Sequence, residues 1–201
     1  MARYPGEHKG RTRERILAAS DRLLKGRGAG ATSIAEVMDG AGLTVGGFYA
    51  HFASKHALEE ATLLHGLEAS MDRLLASLDG IRDDRRWVRA LIRAYLAQAD
   101  DRELARACPL TLLLPEVARG GVAFQSAFSE RTAALLDRVH HRFPEVAGLT
   151  TREVAIVAFA TLVGAVALAR SIPAPHARAR VLRATETMLQ AMLWPDDPPS
   201  A

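Results

Sequence analysis

The residues best placed to do chemistry lie between Thr44 and Lys55, where Thr44, Val45, Gly46 and Gly47 are followed by Tyr49, His51 and Lys55. This is not a catalytic set. Short side chains followed by a phenol, an imidazole and an ammonium make a bare surface edged with hydrogen-bond donors. A protein needs such a surface to bring its backbone close to base edges in a major groove about 12 Å wide while its donors reach the phosphates. Gly46 and Gly47 each cost about 1 kcal/mol against alanine in a helix interior, so helix stability does not account for them.

The elements that must position these residues follow from their neighbours. Thr32 or Ser33 caps a helix, with Glu36 at the capping-box spacing from Ser33. Ile34, Val37, Met38 and Ala41 then fall on one apolar stripe. Gly42 permits the left-handed conformation that ends this helix, and Thr44 caps a second one of about two turns, Val45 to His51. Phe48 and Phe52, four apart, share its inward face. Two short helices around a glycine turn form a helix-turn-helix. Ahead of it, Thr12 to Arg27 reads as an amphipathic helix, with Ile16, Ala19, Ser20, Leu23 and Leu24 opposite most of its basic residues.

The run Gly42, Leu43, Thr44, Gly46, Gly47, Phe48, Tyr49, His51, Phe52, Ser54, Lys55 and Leu58 resembles the signature of the TetR/AcrR family of one-component transcriptional regulators, over a stretch from Arg11 to Leu64. The resemblance implies an all-α fold. An N-terminal three-helix DNA-binding domain (1–56) with a helix-turn-helix would precede a larger helical domain for effector binding and dimerisation (57–201). It further implies that Thr44, Val45, Gly46 and Gly47 face base edges and that Tyr49, His51 and Lys55 hold phosphates, helped by Thr32 and Ser33. Met1 to Arg11 would be a flexible arm, with Arg11 and Arg13 able to reach a phosphate or a minor groove. Two positions depart from the family pattern. Val45 stands where the family often has a polar residue and offers only apolar contact, for instance to a thymine methyl. Met38 replaces a small residue.

Charge divides the chain in the same way. Residues 1–56 hold nine Lys and Arg against five Asp and Glu, net +4, while the rest of the chain, with 17 basic and 18 acidic residues, is net −1. Phosphate neutralisation expects such a footprint at the DNA-binding end. The 201 residues, 49% hydrophobic and 24% charged, suit an ordinary globular protein with room for one compact body and a small domain. The opening residues lack the apolar core of a signal peptide, and a single cysteine suits a reducing cytoplasm.

Beyond residue 56 the pattern is helical. Segments are expected at Lys55 to Leu78, Arg85 to Ala99, one or two short pieces between Glu103 and Val117, Val122 to Phe143, Thr151 to Ser171 and Pro175 to Leu193, with a disordered tail from Pro195. The uncharged run Val154 to Ala169 has 16 residues, short of the roughly 20 that span a bilayer, so no membrane partner is expected. A helix apolar all round is instead buried between its own core and a partner. Ala160 and Gly164 would let two backbones approach, and the resemblance implies a four-helix homodimer seam that would also use Thr185, Met188 and Met192.

By the same resemblance, an apolar small-molecule effector would bind among the middle helices, where His65, Met71, Trp87, Tyr95, Leu112, Leu113, Phe124, Phe128 and Phe159 are the candidates. The implied function is a homodimeric repressor released from a near-palindromic operator by that effector. A thiol-based electrophile or redox sensor is the alternative, since Cys108 precedes Pro109, and Arg102 and Arg106 nearby would lower its pKa. From another class, a helical dimeric scaffold that binds no DNA is the competing reading. No enzyme is expected, since the chain carries no Walker loop, HExxH or nucleophile elbow, and neither a metal nor a cofactor is called for.

Overall fold

The computed structural model describes residues 5–28, 30–99 and 108–195, and among them the chain is helical with no strands. The first helix, α1 (Pro5–Arg27), starts seven residues earlier than its amphipathic stripe indicates, so much of the expected flexible arm is helix. It buries Ile16, Leu17, Ala19, Ser20 and Leu24. Next, α2 (Ile34–Gly40) is capped by Ser33 through a complete capping box. The Glu36 N–H donates to Ser33 Oγ at 3.2 Å, and the Ser33 N–H donates to Glu36 Oε2 at 2.9 Å. Thr32 takes no part in this cap, because its buried hydroxyl donates to the Gly28 carbonyl at 3.0 Å and closes the preceding turn.

The turn after α2 is a Schellman motif. Gly42 adopts φ 66°, its N–H donates to the Asp39 carbonyl at 2.8 Å, and the Leu43 N–H reaches the Met38 carbonyl at 2.8 Å. Arg15 of α1 locks it from outside by donating to the Ala41 carbonyl at 2.5 Å. The second helix of the motif is tighter than the sequence suggests, a 3-10 helix over Val45–Ala50, with Thr44 at its N-cap making no side-chain capping bond. Two adjacent glycines supply too little helix propensity to wind a regular α-turn in six residues. Phe48 and Phe52 anchor this helix in a core shared with Ile16, Val37, Met38 and Leu58.

Ser54 caps α3 (Lys55–Ala76), whose Ala57 N–H donates to Ser54 Oγ at 3.0 Å. This helix belongs to both halves of the molecule. Leu58 completes the first core, whereas Leu67, Met71 and Leu74 enter the larger second one, so no linker separates the two bodies. Where α1 crosses α3, Thr62 Oγ1 and Ser20 Oγ are hydrogen-bonded at 2.9 Å. Nearby, Asp21 pairs with Lys25 at 2.7 Å, and the Lys25 side chain is only 1% exposed. Gly66 leaves room at this crossing, since a Cβ there would lie 2.6 Å from Asp21 Oδ1 and the carboxylate paired with Lys25 would have to shift.

The second body comprises α4 (Asp84–Ala97), α5 (Leu110–Arg119), α6 (Val122–Asp137), α7 (Thr151–Arg170) and α8 (Pro175–Leu193). The chain expected to remain helical up to Phe143 ends α6 at Asp137 and continues as a single 3-10 turn, His140–Arg142. Pro144 disfavours helical backbone at Phe143, which is extended, and Val139 and Phe143 on either side of the turn are both buried. The short segment expected from Glu103 lies outside the described residues up to 107, as does the tail from 196.

By length and composition α7 could cross a bilayer. Its Val154, Ala155, Ala158, Leu162, Val166 and Ala169 are instead the centre of the second core, packed against α4, α5, α6 and α8. Its opposite stripe, with Ile156, Val157, Ala160, Thr161, Gly164 and Leu168, is apolar and uncovered.

Candidate nucleic-acid interface and effector cavity

The 3-10 helix stands out from the first body. Val45 is 49% and Tyr49 69% exposed, and Thr44, Gly46 and Gly47 are exposed as well. Tyr49 makes an edge-on contact with the buried Phe48 ring, centroids 5.2 Å apart, while most of its side chain stays exposed. Lys55 opens α3 and pairs with Glu59 at 3.5 Å, a contact that a phosphate can displace. Exposed Arg11 lies on a helix and so has a fixed direction. Ser33 is exposed, but its hydroxyl is committed to Glu36. Thr32 cannot serve as a phosphate contact through its side chain, because that side chain is buried under the Gly28 turn.

His51 is half-buried behind this surface, with Nδ1 buried and unpartnered. Burial holds its pKa below the ordinary histidine value, and the positive charges of Lys9, Arg13 and His8 push it further down. These three residues of α1 therefore place positive charge beside His51. Sequence reasoning treated Met1 to Arg11 as an arm and so left out His8 and Lys9. The i, i+4 spacing of Lys9 and Arg13 was the available signal. Arg13 also lies over the Phe52 ring, 4.8 Å from its centroid.

A pH dependence follows. The unbound imidazole is neutral above the ordinary histidine range, while a phosphate beside it would favour the charged form, so binding takes up a proton. DNA affinity should rise from pH 8 to pH 6 by less than about tenfold per pH unit per subunit. His51→Gln should flatten the profile, and an unchanged profile would remove His51 from the phosphate contacts. Fold stability runs the opposite way. A depressed histidine pKa contributes stability above the unfolded value, and that contribution is lost as pH falls through it.

In the second body, α3, α4, α6 and α7 enclose a slender cavity of about 30 Å³. Of the residues expected to meet an effector, Met71, Tyr95 and Phe159 line it, with the Tyr95 and Phe159 rings edge-on at 6.2 Å. The others do not. Trp87 is buried beneath the Arg142 guanidinium, 4.9 Å from its ring centroid. Phe124 packs with Leu63 and Val117 in a separate small cluster, with Phe128 against it. His65 is half-buried on α3 outside the lining, and the side chains of Leu112 and Leu113 lie outside the described residues. Sequence reasoning missed Leu74, Leu91, Thr132, Leu135 and Leu162, which line the cavity. Periodicity marks these residues as buried without saying which of them border a gap.

Cys108 is 4% exposed, and burial raises its thiol pKa; the neighbouring Tyr95 hydroxyl acts in the lowering direction and is outweighed. A buried, protonated thiol is the reverse of what electrophile sensing requires, which corrects the expectation of a reactive cysteine. Arg102 and Arg106, expected to activate it, lie outside the described residues. On the outer face of the second body Ala160, Gly164 and Met188 are exposed, whereas Thr185 is half-buried and Met192 packs against the core. Among the described residues no three His, Cys, Asp or Glu gather as a metal site.

Comparison with known proteins agrees with this geometry. Residues 16–62 match the family of bacterial regulatory proteins, tetR family. No curated protein matches the sequence. A TetR transcriptional regulator from Chloroflexus aurantiacus is similar at 23% identity and a TM-score of 0.70, covering 93% of this chain and 98% of its own. A TetR-family regulator from Pectobacterium atrosepticum is similar at 25% identity and a TM-score of 0.69, covering 98% and 100%. AibR, solved in complex with isovaleryl coenzyme A and operator DNA, is similar at 18% identity and a TM-score of 0.60, covering 89% and 97%.

Proposed function

We propose that this chain, which carries the N-terminal domain of the tetR family of bacterial regulatory proteins and the fold of TetR-family transcriptional regulators over its length, is a homodimeric repressor that an apolar small molecule releases from DNA. The observation that carries the reading is the exposed surface from Thr44 to Lys55, with bare backbone and Val45 at its tip, donors at its edges, and α1 cations behind it. Val45 and the glycines read bases, while Tyr49, His51, Lys55 and Arg11 hold phosphates.

The uncovered apolar stripe of α7, with Met188 of α8, seats a second copy. Paired this way, two recognition helices meet successive major grooves about 34–36 Å apart, so the operator is a near-palindrome. The cavity between α3 and α7 takes the effector, and the continuous α3 carries its effect into the DNA-binding core. Affinity for DNA then falls by the effector's differential binding to the two states. The protein acts in the cytoplasm, where its operator lies.

Gel shifts on DNA flanking the gene test the division of roles. Tyr49→Phe with Lys55→Ala should weaken binding to every operator variant by about tenfold or more and reduce the salt slope by about one. Val45→Ser should leave the salt slope alone and change the preferred sequence. Equal losses for both proteins on every variant would refute the assignment. Binding without sequence preference would favour a scaffold.

A further inference from the structure

Among the described residues Lys25 is the one buried charged residue. It pairs with Asp21, one turn earlier on α1, at 2.7 Å. The pair lies where the two bodies meet. The Asp21 carboxylate rests against α3 at Gly66, in space that a side chain there would take. Pro109, at the head of α5, reaches the same point, its Cγ 3.6 Å from where a Gly66 Cβ would stand. Its neighbours Cys108 and Leu110 are built into the second core, and so is Leu67, the residue after Gly66. The Cys108 N–H also donates to Gln98 Oε1 at the end of α4, at 3.0 Å, and the charge of Lys25 acts on the Cys108 thiol. One ion pair of the first body is thus enclosed between α3 and the entrance to α5.

Stability does not explain a buried pair. Taking two charges out of water costs about as much as their attraction returns, and apolar residues of similar size often hold such a site as well or better. Placement is different. Apolar contact has no preferred direction, so two apolar surfaces slide at small cost. The carboxylate has room at Gly66, whereas Leu63, one turn back on α3, is buried and apolar. Shifting α1 along α3 would press the carboxylate onto that side chain with no hydrogen bond in return.

We infer that Asp21 and Lys25 fix the angle at which the first body is held on the second, and so determine which separation of operator half-sites the protein accepts. They do this without touching DNA. One added base pair moves a half-site by about 3.4 Å and turns it by roughly 35°, so each separation demands its own angle. The inference rests on the reading of the chain as a dimer that meets two half-sites.

Two variants of the full chain separate this role from plain stabilisation. Lys25→Met strands the Asp21 carboxylate and should melt about 5 °C or more below wild type. Asp21→Leu with Lys25→Met should melt within about 3 °C of wild type or above it. The DNA probe is a two-half-site fragment that the wild-type protein selects from random sequence. Inserting or deleting one base pair between its half-sites should cost the wild type about tenfold or more in affinity and the double variant less than about threefold. A double variant that keeps the wild-type penalty, or that melts as low as Lys25→Met, would overturn the inference. Nitroxides on Ala35→Cys of α2 and Ala118→Cys of α5 read the angle without DNA, since both positions are exposed and Cys108 is buried away from the label. The distance distribution should broaden in the double variant, and an unchanged width would equally overturn the inference. A wild-type protein that selects no two-half-site fragment would refute the dimeric regulator and the spacing role together, and the label distances would still decide whether the pair fixes the angle.

Discussion

Gly164→Glu is expected to convert the protein to monomers and to lower its affinity for a two-half-site operator by about 10²-fold to 10⁴-fold, the loss of avidity when linked binding events become independent. The position makes the variant informative. Gly164 lies on the uncovered stripe of α7, and a Cβ added there meets nothing within 4 Å in the single chain. The subunit therefore has no reason to unfold, and replacing a helical glycine with glutamate favours the helix by roughly 0.5 kcal/mol or more. A two-fold seam, however, would bring each carboxylate into an apolar interface near its symmetry mate, where an unpaired buried charge costs several kcal/mol. Light scattering should report the monomer mass, circular dichroism should report undiminished helix, and gel shift should report the affinity loss. A dimer with full affinity would exclude this face as the seam.

Phe48→Ala is expected to abolish DNA binding by unfolding the N-terminal body, at a cost of about 3–5 kcal/mol. Phe48 is fully buried, packs on the Phe52 ring at 5.8 Å and supports Tyr49 from below. The core around it is small, with Ile16, Val37, Met38 and Leu58 among its members, so few neighbours can collapse into the space left. A body of this size has little stability to lose. Thermal melts followed by circular dichroism should show an early transition for the first body while the second core, centred on α7, persists. A single transition shifted by less than about two degrees would show that Phe48 does not anchor the domain.

The helix-turn-helix was legible because its signals are local. Ser33 with Glu36, Gly42 by its type, and Phe48 with Phe52 act within one helical turn, so they predict a capping box, a glycine-ended helix and an anchored second helix before any packing is known. Local spacing gave Ser33 the capping-box partner but left Thr32 open as a cap and as a phosphate contact. The Gly28 carbonyl separates them, since the chain turns back so that Thr32 spends its hydroxyl on that turn. His8 and Lys9 were hidden for a similar reason, because only the extension of α1 to Pro5 aligns them with Arg13 beside His51.

Sequence alone determined the helical class, the capped glycine turn, the basic N-terminal end and an α7 too apolar for a one-sided helix, because each is a property of residue type and short-range spacing. Only the tertiary structure decided which buried residues border a gap and which merely fill the core. Tyr95 and Trp87 have similar burial and lie on the same helix, yet one lines the cavity and the other sits under Arg142. Sequence periodicity likewise could not divide α7 into a stripe used within the subunit and a stripe left bare. Hydrophobicity is a property of one residue, whereas a void, a wall or an uncovered face is a property of what several distant helices fail to fill.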